Sequence, residues 1–138
     1  MDFKRLSAAA LVAWFVCTMY GIVVQMLVLG AEFERYPTIF RSEAAINANV
    51  PLMLAASLLA MFALACMYAR GYEAGYGTLA GIRFGVLVAL FVFGFASVGI
   101  YGSINIGRRI AVVASVTTFM EMILAGAVIG TIYKPARF

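Results

Sequence analysis

A helix needs about 20 consecutive apolar residues to cross the hydrocarbon layer of a bilayer. This chain commits most of its length to four such runs, at residues 6–29, 48–67, 82–101 and 110–132. Its 138 residues are 65% apolar and only 12% charged, about half the charged fraction of a soluble domain. A single core of this size cannot hide that much apolar surface from water. The expected solvent, and first partner, is therefore the lipid bilayer. The expected fold is an all-α integral membrane bundle of four transmembrane helices, one domain over residues 1–138, with loops so short that sequential helices should be neighbours.

The first run follows Lys4 and Arg5, as a signal peptide would. Its length of about 24 residues exceeds the 7–15 of a signal-peptide core, so it is read as a retained span. With the N-terminus inside, Lys4, Arg5, Arg70, Arg83, Lys134 and Arg137 lie inside, and Arg35, Arg41, Arg108 and Arg109 outside. That six-to-four excess leads to the expectation of both termini in the cytoplasm, the alternative being dual insertion. The longest loop, residues 30–47, mixes Glu32, Glu34, Arg35, Arg41 and Glu43 with Phe33, Tyr36, Ile39 and Phe40. It reads as an interfacial cuff, with Pro37 opening a short helix along the headgroups, the alternative being a docking surface for a partner on the outer side. Asn47, Asn49 and Pro51 read as residues that start the second helix rather than as a substrate site.

The net charge of +4 suits anionic headgroups. The basic residues form no stripe, so nucleic acid is not an expected partner. The chain has no histidine, which removes the commonest general base and the commonest nitrogen ligand for metals. Cys17 and Cys66 lie inside apolar runs and read as small buried residues. No catalytic constellation or metal cluster is visible, and the expectation is a non-enzyme without cofactor. The connection from Tyr68 to Arg83 carries Tyr68, Tyr72 and Tyr76 among glycines. These tyrosines read as membrane-interface anchors, and the glycines lack the phosphate-loop pattern.

In lipid, apolar side chains do not drive helix association, so close backbone approach and polar contacts must. Gly77, Gly81 and Gly85 recur every fourth residue at the start of the third run, and Gly126 and Gly130 do so in the fourth. They are read as helix-packing faces within the bundle, the alternative being a self-association surface. Glu121 sits near the middle of the fourth run. A charge there costs roughly 2.5–3.5 kcal/mol on insertion scales, against roughly −0.3 to −0.6 for each central Leu, Ile, Val or Phe. The span still inserts, and Glu121 should face protein or a wet cavity. Its expected polar neighbours are Tyr20 first, then Thr18, Thr117 and Thr118. Three roles are open to it: a hydrogen-bonded strut, a proton or cation carrier, or a contact to another subunit.

The second and fourth runs close alike, as Met67-Tyr68-Ala69-Arg70 and Ile132-Tyr133-Lys134-Pro135-Ala136-Arg137. The first and third open alike behind Arg5 and Arg83. This is the pattern of two parallel helical hairpins related by an axis along the membrane normal. The run from Tyr68 to Glu73, then Gly81 to Gly85, Glu121, Gly126, Gly130 and Ile132-Tyr133-Lys134-Pro135 also resembles a group of short, uncharacterised bacterial membrane proteins. That resemblance covers the latter half of the chain. It implies a bacterial inner-membrane location and no activity. The expected function is a structural or accessory subunit that self-associates or joins a larger membrane complex. The alternative is a small oligomeric transporter or channel subunit that uses Glu121 for proton or cation coupling.

Overall fold

The computed structural model describes residues 2–71 and 77–134, and of Glu32 and Phe33 only the backbone. Four helices are long and apolar enough to cross a membrane: α1 (Phe3–Leu29), α2 (Glu43–Gly71), α3 (Gly77–Ser103) and α4 (Arg108–Ile132). All regular structure among the described residues is helical. At 25 to 29 residues and 1.5 Å per residue, each helix is about 37–44 Å long, more than the hydrocarbon layer needs.

The helix ends explain where the apolar runs fell short. Asp2 caps α1, its Oδ1 accepting from the backbone N–H of Lys4 and Arg5 at 3.2 Å each. Helix α2 begins at Glu43, not at residue 48, because Ser42 provides the start. The Ser42 carbonyl accepts from Ile46 N–H at 2.9 Å and its Oγ from Ala45 N–H at 3.4 Å, a serine N-cap. The helix then runs through polar residues that hydropathy excludes, including Asn49, whose Nδ2 donates to the Ala45 carbonyl at 2.8 Å. Pro51 lies within α2. Pro37 opens a turn rather than a helix, with Ile39 and Phe40 N–H both donating to the Tyr36 carbonyl.

The packing order is α2–α1–α4–α3, since α1 packs on α2 and α4, and α4 packs on α3. Sequential neighbours therefore hold within each hairpin and fail between α2 and α3, which share no extended interface. They meet at Tyr68, whose ring lies edge-on to Phe84 at 5.5 Å and whose hydroxyl donates to the Gly77 carbonyl at 3.2 Å. Tyr68 is 4% exposed and Tyr133 2% exposed, with their rings edge-on at 6.3 Å. Tyr68 thus points into the bundle, and the expectation of an interface anchor is corrected at this position. Inside, the ring fills a gap between three helices and its hydroxyl finds a carbonyl. Tyr72, Glu73, Tyr76 and the segment from Pro135 to Arg137 lie outside the described residues.

Burial divides the molecule across its length. Leu6, Ala9, Ala10, Ala13 and Cys17 of α1 meet Met61, Leu64 and Ala65 of α2 and Ala125 and Ile129 of α4 in one cluster near the chain ends. The two ends are joined there, Arg5 Nη1 donating to the Lys134 carbonyl. In the half away from the termini, outward apolar faces dominate, with Met26, Leu27 and Phe95 76%, 79% and 80% exposed. Helices α1 and α3 each contain a π-helical turn in that half, Gln25–Leu29 and Phe93–Ser97. Each is closed by an i→i+5 bond, from Gly30 N–H to the Gln25 carbonyl and from Val98 N–H to the Phe93 carbonyl.

Candidate functional site

Helix α4 carries both sequence-derived sites, on two different faces. Its glycine face meets α3. A Cβ on Gly81 would stand 2.8 Å from the Cα of Gly130, and one on Gly85 would stand 2.9 Å from the Cα of Ile123. In the other direction, a Cβ on Gly126 would stand 2.8 Å from the Cα of Gly85, and one on Gly130 would stand 2.7 Å from the Cα of Gly81. These are backbone atoms, so only hydrogens fit between them. Thr78 and Thr131 add a hydroxyl–hydroxyl hydrogen bond of 3.0 Å across the same seam. Gly77 stands at its end for a different reason. Its φ of +55° is the left-handed conformation that glycine adopts without strain, and it starts α3 against the Lys134 side chain.

The second face of α4 meets α1 and carries Glu121. Positions 117, 121, 125 and 129 follow one another at four-residue spacing and so share this face. Ala125 and Ile129 are fully buried on it. One turn from Glu121, the Tyr20 hydroxyl donates to the backbone carbonyl of Thr117 at 3.1 Å. The Cys17 thiol points at the backbone carbonyl of Glu121 at 3.8 Å, a weak contact.

The expected Tyr20–Glu121 hydrogen bond is thus replaced by one from Tyr20 to the main chain of α4. Thr117 cannot donate to the carboxyl either, because its hydroxyl is turned to the carbonyls of Val113 and Ala114 at 2.9 and 3.0 Å. Thr18 and Thr118 are half-buried, and neither bonds the carboxyl. The half-buried Glu121 side chain makes no hydrogen bond or ion pair with any described residue. The polar layer therefore consists of one carboxyl with unmet hydrogen-bonding capacity among the described residues, beside the Tyr20 and Thr117 hydroxyls and the Cys17 thiol, which serve the backbone. It lies where the packed half of the bundle gives way to the open one.

Sequence reasoning passed over several polar contacts. Trp14 Nε1 donates to Ser57 Oγ at 2.9 Å, joining α1 to α2, and Ser57 in turn donates to the Leu54 carbonyl at 2.9 Å. A tryptophan in a span usually finds a partner for its N–H, and that was the available signal. The Arg5–Lys134 tie had none, because the acceptor is a main-chain carbonyl. Comparison with protein-family models, with curated proteins and with solved structures finds no match to this chain.

Proposed function

We propose that the chain is a multi-pass membrane protein acting as a structural or accessory subunit, which completes its own bundle by self-association or by joining a larger membrane complex. The observation that carries this reading is the Glu121 carboxyl, half-buried at the centre of α4 and without a hydrogen bond to any described residue. A carboxyl in hydrocarbon is expensive even when neutral unless its polar atoms are bonded. A polar group from another subunit would supply that bond. The glycines favour the same reading indirectly, because α3 and α4 use them against each other and leave the open half of the molecule to face outward. The charge distribution supports placing both termini in the cytoplasm, with the inner membrane as the location. The two hairpins are read as a parallel repeat, supported by the Tyr68–Tyr133 pair and by the matching π turns of α1 and α3.

The test is the native mass of the tagged protein in mild detergent, for the wild type and two variants. Glu121→Gln keeps a hydrogen-bonding group and should leave the assembly intact. Glu121→Leu removes it and should shift the mass toward the monomer. A wild-type monomer, or a Glu121→Leu assembly of unchanged mass, would overturn the reading. An intact Glu121→Gln assembly that loses proton or cation flux in vesicles would instead make the carboxyl a carrier and the protein a transport subunit.

A further inference from the structure

Above the glycine seam, α3 and α4 part and leave a groove of about 460 Å³. The seam ends for a simple reason. Ala89 is the last small buried residue of α3, and one turn later Phe93 and the π turn Phe93–Ser97 widen the helix. Gly94, Gly99 and Gly102 beyond it meet nothing within 4 Å, so they pack no helix. A π turn inside an α-helix commonly marks a functional position.

The groove is built in two chemically distinct parts. Its walls are the apolar side chains of Phe93 and Val98 from α3 and of Ala111, Val112 and Val116 from α4. Its mouth, at the end away from the termini, holds Tyr101 and Arg108. From Arg108 to Val116 the wall runs about 12 Å along α4, close to the roughly 15 Å hydrocarbon depth of one leaflet. Arg108 makes no ion pair or hydrogen bond with any described residue. A guanidinium at that level is matched by a phosphate, which it can grip with two parallel N–H donors.

We propose that this groove binds one anionic glycerophospholipid, with an acyl chain between α3 and α4 and the phosphate on Arg108. The charge fixes the occupant. A long apolar chain alone would fill the walls and leave the guanidinium unmatched, and a free anion would leave the walls empty. The site lies on the α3 side of α4, away from the α1 side where Glu121 stands. It is therefore independent of the assembly reading.

The experiment is native mass spectrometry of the detergent-purified protein, titrated with dioleoylphosphatidylglycerol or with dioleoylphosphatidylcholine. The wild type should retain the first phosphatidylglycerol about tenfold more tightly than phosphatidylcholine, and Arg108→Gln should remove that preference. Ala111→Phe, which fills the groove, should weaken retention of both lipids. Ser115, which also lines the groove with its hydroxyl turned back to the Ala111 carbonyl, gives a second filling variant as Ser115→Leu, and circular dichroism confirms that each variant keeps its helix content. Arg83→Gln, at the opposite end of α3, should change nothing. Equal retention of the two lipids, or an Arg83→Gln loss as large as that of Arg108→Gln, would overturn the proposal. So would an Ala111→Phe variant that changes oligomeric mass and keeps its lipid, since the groove would then hold protein.

Discussion

Replacing one hydrogen of Gly126 by a methyl group would put a carbon 2.8 Å from the Cα of Gly85. No side-chain rotation relieves such a clash, because both atoms belong to backbones. Gly126→Leu should therefore separate α3 from α4 at a cost of about 3 kcal/mol, the upper end of ordinary overpacking. Cysteines placed by Thr78→Cys and Thr131→Cys, where the hydroxyls now stand 3.0 Å apart, report this directly. They should crosslink in an otherwise native chain and fail to do so with Gly126→Leu. Glu121 is the opposite kind of residue. Its neighbours leave it room but no partner, so its substitutions should read out on assembly and not on the internal seam.

Between elements, Tyr68 ties α2 to α3, beside the α1–α4 packing that joins the two hairpins. It is the side chain through which α2 reaches α3, and its ring also meets Tyr133 of α4. Tyr68→Phe keeps the ring and loses the bond to the Gly77 carbonyl, a change worth about 1 kcal/mol. Tyr68→Ala removes a ring that three helices share and should cost about 3–5 kcal/mol. Thermal unfolding in detergent should place the melting temperatures in the order wild type, Tyr68→Phe, Tyr68→Ala. A phenylalanine variant as unstable as the alanine one would mean that the hydroxyl, not the ring, holds α2 to α3.

Across the whole molecule, close packing is concentrated in the half that holds the chain ends, although Leu29 and Ile110 are buried in the other half. Small residues concentrate there: Ala9, Ala10 and Ala13 in α1, Ala65 in α2, Gly81 and Gly85 in α3, and Ala125, Gly126 and Gly130 in α4. The other half holds both π turns, and its glycines Gly94, Gly99 and Gly102 meet no helix, so its helices stand further apart. Segments with few buried contacts open most readily. Amide hydrogen exchange in detergent should therefore be slow over residues 6–17, 61–68 and 125–130 and faster over 25–29 and 93–103. Uniform protection along each helix would contradict the division.

Much of this was legible in the residues. Four long apolar runs are read without tertiary information, because crossing hydrocarbon requires length and low polarity and each run carries both within itself. The glycine spacing likewise marks a helix face by periodicity alone, and the carboxyl at Glu121 stands out by its cost. Helix ends were less legible, because Ser42 and Gly77 begin helices through capping and backbone conformation, which hydropathy does not register. Which face meets which helix was not legible at all. A glycine ridge is equally smooth toward α1, α3 or a second copy, and only the folded arrangement pairs Gly81 and Gly85 with Gly126 and Gly130. The same holds for Tyr20, whose single donor had two acceptors within a turn of each other, the Glu121 carboxyl and the Thr117 carbonyl. Residue order alone sets how many apolar helices this chain forms and which residues are out of place in lipid. Their partners emerge in the folded bundle, because partner choice depends on the relative rotation and depth of whole helices, which no local stretch of residues encodes.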